Sequence, residues 1–324
     1  MMTRREFVAL SLAAVPARGR VMTVRGPVAP AALGALLPHE HLMSAFGEEP
    51  ADTADYDREA LAAAVLPYLA KLKKLGCGAI ADCTAARFGR DPALLRALSE
   101  KSGLHVLTNT GYYGAAKDRY VPPHAFEETP RQIAARWTRE WREGIAGTGI
   151  RPGLIKLGVD PGPLSAIDRK LVEAGAIAHR ETGLAVAVHT GDSPAGAREQ
   201  IAIFRQAGVS PRAWMWVHAN NCKDDAALRW AAEQGAWLSF DGLDAATAPR
   251  HLELVQMVKK LGRLDQVLLS HDGNSFRAGR PPKPYDALFT DFIPRLRAAG
   301  FASAEIRQLT QRNPQRAFTI EVRT

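Results

Sequence analysis

The chain has 324 residues, 46% of them hydrophobic, with 27 Gly and 21 Pro, enough for a sizeable core in one large α/β domain or two ordinary ones. Lys and Arg number 42 against 34 Asp and Glu, a formal net charge of +8, but without the block of consecutive basic residues that marks a nucleic-acid arm. Three cysteines, Cys77, Cys83 and Cys222, with no CxxC pair, exclude a disulfide framework and imply free buried thiols.

The first segment, 1–20, reads MMTRREFVALSLAAVPARGR. Arg4 and Arg5 precede Phe7 and a short apolar run ending in small residues at Ala17. That order predicts a twin-arginine-type signal peptide and export to a bacterial periplasm; the alternative is an amphipathic segment that stays attached to a cytoplasmic protein. Its apolar stretch is too short to span a bilayer and nothing later reaches the length of a membrane helix, so no stable membrane insertion is expected.

Next comes ALLPHEHL, 35–42, the first strand candidate. On a strand His39 and His41 share a face and Glu40 points away. Two imidazoles side by side are either a metal-binding edge or two polar residues at a strand end. REALAAAVLPYLAKLKKLG follows, a helical pattern with Pro67 inside it and Gly76 at its stop. GAIADCT (78–84) reads as a strand, and DPALLRALSEKSG as a helix capped by Asp91, opened by Pro92 and stopped by Gly103. Further strands are HVLTNTG (105–111), GLIKLGV (153–159), LAVAVHT (184–190), AWMWVHA (213–219), AWLSFDG (236–242) and QVLLSHDG (266–273). Helical patterns such as DRKLVEAGAIAHRETG and DDAALRWAAEQG lie between them.

Eight strands alternating with helices predict an α/β fold, a (β/α)8 TIM barrel forming a single domain over 21–324. A doubly wound open sheet is the alternative, although no GxGxxG or GxxxxGK[ST] follows the first strand. A barrel carries its chemistry at the C-terminal strand ends. Those ends hold His39 and His41, Asp82, Asn109 with Tyr112 and Tyr113, Lys156, His189, His218, Asp241 and Asp272. A lone strand-end histidine is more often structural, but four of the nine histidines converging on one barrel mouth suit zinc or a similar divalent ion. Lys156 is flanked by apolar residues, where an ammonium would be desolvated. Either it snorkels to the mouth, or its neutral amine has taken up carbon dioxide as a carbamate able to bridge two metals. His271 alternates with Asp272 and should face away. His105, His124, His179 and His251 receive no role, and Trp214 and Trp216 should pack between their strand and its helices.

These residues resemble the phosphotriesterase family of the amidohydrolase superfamily, including phosphotriesterase-like lactonases. His-x-His, the strand-four Lys, the histidines of strands five and six, and Ser-His-Asp on strand eight stand in family order. GRD at 89–91 and GYY at 111–113 are similar to its loops, and the likeness runs from TVRGPVAPAALG to RNPQRAF. The resemblance implies two divalent metal ions (zinc, or Mn, Co or Fe), one held by His39, His41 and Asp272, the other by His189 and His218. Carbamylated Lys156 and a hydroxide would bridge them, Asp272 would accept a proton, Tyr113 would face the substrate, and the protein would be a homodimer. Asp82 is read as support for its strand end rather than as a ligand.

The expected activity is hydrolysis of a small-molecule lactone or carboxylic ester, with promiscuous phosphotriesterase activity. Alternatives are a phosphoesterase, an amidohydrolase, a metal-free binding protein on the same barrel, and a nucleic-acid-processing hydrolase; no nucleic-acid partner is expected. Where lactonase relatives carry an arginine after strand seven, this chain has Gly242, in FDGLDAATAP. The loop GNSFRAGRPPKPYD is basic, and with Arg87, Arg90, Lys117 and Arg119 it suggests a cationic rim favouring anionic substrates.

Overall fold

The computed structural model describes residues 18–52, 55–277 and 279–324. The proposed leader therefore lies almost wholly outside the described residues. A two-stranded antiparallel hairpin, β1 (Val21–Thr23) and β2 (Gly26–Val28), comes first. The barrel strands follow: β3 (Ala35–Glu40), β4 (Cys77–Asp82), and a third strand interrupted at Thr108 into β5 (His105–Leu107) and β6 (Asn109–Thr110). β7 (Leu154–Gly158), β8 (Val186–His189), β9 (Trp214–Val217), β10 (Trp237–Phe240) and β11 (Val267–Leu269) complete the set. Parallel pairing runs through β3, β4 and β5, and from β6 to β11 in order. Main-chain bonds close the seam between β11 and β3, from His41 N to the Gly273 carbonyl at 2.9 Å and from Asp272 N to the His39 carbonyl at 3.2 Å. The ring is the (β/α)8 barrel read from the sequence.

Helices clothe the barrel: α1 (Arg58–Lys74), α2 (Pro92–Ser102), α3 (His124–Glu127), α4 (Pro130–Glu143), α5 (Ala166–Thr182) and α6 (Pro194–Gln206). α7 (Asp225–Glu233), α8 (Ala248–Lys260), α9 (Ile293–Ala298), α10 (Ser303–Arg307) and α11 (Asn313–Phe318) follow. Their ends are chemically specified. Asp91 accepts from Leu94 N ahead of α2, and Gly103 takes the left-handed conformation (φ 71°) that ends it; such a cap contributes about 1 kcal/mol. Pro67 leaves α1 unbroken, on its exposed side.

Strand alternation sorts the core into two layers. Ala185, Ala187, Met215, Val217 and Leu268 fill the barrel interior, while Val186, Val188, Trp214, Trp216, Val267 and Leu269 pack outward under the helices. Both tryptophans thus lie where expected, their indole N–H groups donating to Gln200 Oε1 and the Gly191 carbonyl, each at 2.9 Å. Val21 joins the interior cluster with Leu33, Ala317 and Phe318, and Gln315 donates to the Gly34 carbonyl at the start of β3. The hairpin and α11 therefore plug the end of the barrel from which the strands start. By the same alternation Lys156 points inward on β7, between outward Ile155 and Leu157.

One irregularity decides the position of the His pair. Leu36 faces the interior and Leu37 the outer layer, so strict alternation would turn His39 outward. The register against β4 slips between Leu37 and Glu40, three residues of β3 spanning two of β4 (Ile80 to Asp82). This bulge at Pro38, a residue with no N–H for the ladder, resets the phase and brings His39 and His41 inward.

Candidate metal centre

The six residues singled out as metal ligands meet at the C-terminal mouth of the barrel, lining one cleft of about 270 Å³ with Tyr113. His39 and His41 have ring centroids 5.5 Å apart, His39 and His218 5.0 Å, and His189 and His218 4.6 Å. Asp272 Oδ1 lies 3.2 Å from His41 Nε2 and 3.6 Å from His39 Nε2. His39, His218 and Asp272 offer ligand atoms all within 4.8 Å of one another, close enough to share an ion. That trio crosses the two ligand groups expected from the resemblance, so the groups are adjacent rather than separate.

Asp272 and His218 both adopt left-handed backbone, with φ 50° and 60°. For non-glycine residues this costs roughly 1–2 kcal/mol each. Strain of this kind collects where the surroundings dictate side-chain direction. His218 is held by its amide, which donates to Asp241 Oδ2 at 2.7 Å.

The electrostatics suit metal ligation. Burial lowers the His218 imidazole to about 4, with the charge of Asp241 opposing. Burial takes His189 well below its ordinary value, and the neighbouring charges of His218, Lys156 and His39 add to it. Both rings are therefore neutral near pH 7, the form that donates a lone pair to a metal. Desolvation would raise Asp272, but His41 beside it and the nearby imidazoles outweigh it and hold its carboxyl well below the usual range. Burial lowers Lys156, whose Nζ donates to the Leu157 carbonyl at 3.0 Å and sits 5.1 Å from the Tyr113 ring centre.

Four residues given no metal role hold these ligands in place. Thr84 Oγ1 donates to the Met43 carbonyl at 2.7 Å and thus accepts from His41 Nδ1 at 2.8 Å, which frees His41 Nε2 to face the cleft. Asp241, fully buried, lies 3.4 Å from His39 Nδ1 and 3.5 Å from His218 Nδ1. Against its own burial, these imidazoles keep its carboxyl well below the usual range. Asp82 supports its strand end as read, accepting from Leu42 N at 2.7 Å and Thr84 N at 3.0 Å. Glu40 faces away from the cleft and accepts from Ser270 Oγ (2.7 Å), His271 N (3.1 Å), His271 Nδ1 (2.6 Å) and Gly273 N (2.7 Å). His271 points outward as expected, its Nε2 accepting from Leu288 N at 3.0 Å.

Two glycines make room for Tyr113. A Cβ on Gly111 would come 2.2 Å from the Lys156 carbonyl oxygen, and one on Gly158 2.6 Å from the Tyr113 ring. Tyr113 therefore rests flush against the end of β7, 5.5 Å from the His189 ring centre. The cationic rim is narrower than the sequence suggested. Arg87 pairs with Asp52, Arg90 with Glu140 and Arg119 with Glu49, Lys117 and Arg280 do not line the cleft, and Arg277 and Lys283 are the loop cations on it. Cys83 also lines it, and among the described residues no side chain of the β10 loop does. A larger open groove of about 590 Å³ lies on the helical exterior, lined by Arg131, Glu173 and Arg180, and contains none of the strand-end residues.

Fold and site together define a barrel hydrolase whose clustered imidazoles and carboxylate have the chemistry of divalent-metal ligands. The family model described as the phosphotriesterase family matches residues 19–318, and the chain belongs to that family of metal-dependent hydrolases. The chain is 27% identical to a phosphotriesterase homology protein of Mycobacterium tuberculosis, over 91% of this chain and 96% of the relative. It is 26% identical to the N-acetyltaurine hydrolase of Tetraodon nigroviridis, over 94% and 99%. A solved structure described as molecular engineering of organophosphate hydrolysis activity from a weak promiscuous lactonase template superposes with a TM-score of 0.82 at 30% identity, covering 92% of this chain and 99% of that one.

Proposed function

We propose that the protein hydrolyses small lactones or carboxylic esters, with weaker activity on phosphotriesters. The observation that carries this reading is the convergence of His39, His41, His189, His218, Asp272 and the desolvated amine of Lys156 on one small cleft. In the proposed assignment His39, His41 and Asp272 would hold one divalent ion and His189 and His218 the other, with Lys156, as a carbamate formed with carbon dioxide, a further ligand. Such ions polarise a scissile carbonyl or phosphoryl oxygen and make water a nucleophile near pH 7. Asp272 would accept a proton from the attacking water, its Oδ2 lying near Lys283. Tyr113 and the neighbouring aromatic rings bound the substrate and exclude water.

The likeness to a promiscuous lactonase template supports the lactone reading and the phosphotriester side activity. Likeness to N-acetyltaurine hydrolase supports a second reading, cleavage of an amide by the same residues. A panel of lactones, aryl esters, phosphotriesters and N-acyl amides, assayed with metal-loaded protein, tests the assignment. Higher kcat/KM on lactones and esters is the expected result, and a preference for phosphotriesters or amides would replace it. Export through the twin-arginine-type leader and assembly as a homodimer complete the proposal; the Arg4-Arg5 pair with its apolar run supports the first, and family resemblance the second.

A further inference from the structure

The cleft has two unlike walls. One is aromatic. Phe88 lies 5.5 Å from Phe46 and 5.3 Å from Tyr113, centre to centre, and Phe46 keeps 43% of its surface exposed at the mouth. The other is cationic, formed by Arg277 and Lys283 from the segment after β11. That segment is fixed to the barrel by its main chain. Asn274 and Lys283 exchange N–H···O bonds of 2.7 and 2.8 Å, Ser44 N donates to the Phe276 carbonyl at 2.9 Å, and Ser275 N to the His41 carbonyl at 3.0 Å. Among the described residues Arg277 has no carboxylate within 4.0 Å, and the one carboxylate near Lys283 is Asp272, 3.6 Å away. Asp272 is also the one carboxylate lining the cleft. Arg277, with no carboxylate beside it, and Lys283, which shares Asp272, flank an apolar wall and together form a receptor for an amphipathic anion.

We infer that the substrate carries an oxyanion group which Arg277 and Lys283 bind, while its apolar part lies on Phe46 and Phe88. This rests on the ester-hydrolase reading above and narrows it to anionic, amphipathic esters or lactones. Lys283 also touches Asp272, so Arg277 is the discriminating position.

The test is a matched set of 4-nitrophenyl esters: the hemisuccinate, its neutral methyl ester, and the 3-phosphonopropionate, assayed with metal-loaded protein. The hemisuccinate or phosphonopropionate should exceed the neutral ester in kcat/KM by about tenfold or more, expressed in KM, as one charge-assisted contact warrants. Added salt should shrink the preference. Whichever anion is favoured identifies carboxylate or phosphate as the natural group. Arg277→Gln should collapse the ratio toward one and Arg277→Glu should invert it. Equal rates on charged and neutral esters, or a preference that survives Arg277→Glu, would overturn the inference and leave the esterase reading standing. If no ester is cleaved the esterase reading fails, and calorimetry with the corresponding anilides decides the anion site independently: about tenfold tighter binding of the anionic anilide supports it, and equal affinity overturns it.

Discussion

Glu40, the middle residue of His39-Glu40-His41, makes no contact with the cleft, yet replacing it should damage both stability and the site. It is fully buried and accepts four hydrogen bonds, two of them from the main-chain amides of His271 and Gly273 on either side of Asp272. In Glu40→Ala those donors lose their acceptor where water has little access, at about 1–3 kcal/mol for each one left unpaired. Local relaxation keeps the sum below simple addition, and about 3–5 kcal/mol is expected, as for breaking a buried ion pair. At about 2–4 °C per kcal/mol, Tm should fall by roughly 6–20 °C. Glu40→Gln keeps the shape but exchanges one acceptor for a donor and should lose about half as much. Circular-dichroism melts of metal-free protein measure the effect without ligand linkage. The metal-loaded variant should also lose kcat, because Asp272 sits in left-handed backbone (φ 50°) that this staple dictates. A Glu40→Ala Tm within about 2 °C of the parent would refute the reasoning.

Asp272→Asn should lower kcat by about 10²–10⁴-fold, as loss of a positioned proton acceptor does; an unchanged rate would remove that role, and a melt of the same variant checks that folding is intact. Burial, opposed by its bond to the Leu184 carbonyl and aided by the charge of Arg323, lowers His179 from 6.5 to about 4. The unfolded chain therefore takes up that proton first, and stability should drop as pH falls from about 6.5 to about 4 and then level off, by at most roughly 3 kcal/mol from this group. Urea unfolding at pH 7 and 4.5 should show that difference shrinking in His179→Gln, and an unaltered difference would count against it. Mature protein recovered from a periplasmic fraction should begin near Arg18; an intact Met1 would contradict the export proposal.

Much of the barrel is visible in the sequence because its strands carry a readable punctuation. Each apolar run ends in a polar residue at the mouth, and the helices between carry caps such as Asp91 and Gly103. The β1–β2 hairpin escaped because its three-residue strands show no alternation and one contains Pro27. All six ligand candidates were legible as strand-end polar residues, and the structure brings all six into one cleft. What was not legible depends on contacts between distant segments. Glu40 finds its partners across the seam, some 230 residues along the chain. Asp241 gains meaning only from lying between His39 and His218, and the bulge at Pro38 only from the β4 register. The loop cations read alike in sequence, but ion pairs withdraw Arg87, Arg90 and Arg119 and leave Arg277 and Lys283 on the cleft.

The central claim, that these six side chains form a two-metal centre, is tested most directly by the metal content of the folded protein. After loading with zinc or manganese and removal of excess ion, atomic emission should find close to two metals per chain in the parent, and Lys156→Ala should retain one or fewer while still folding. A parent that saturates at a single ion, or a Lys156→Ala variant that keeps both, would contradict the account.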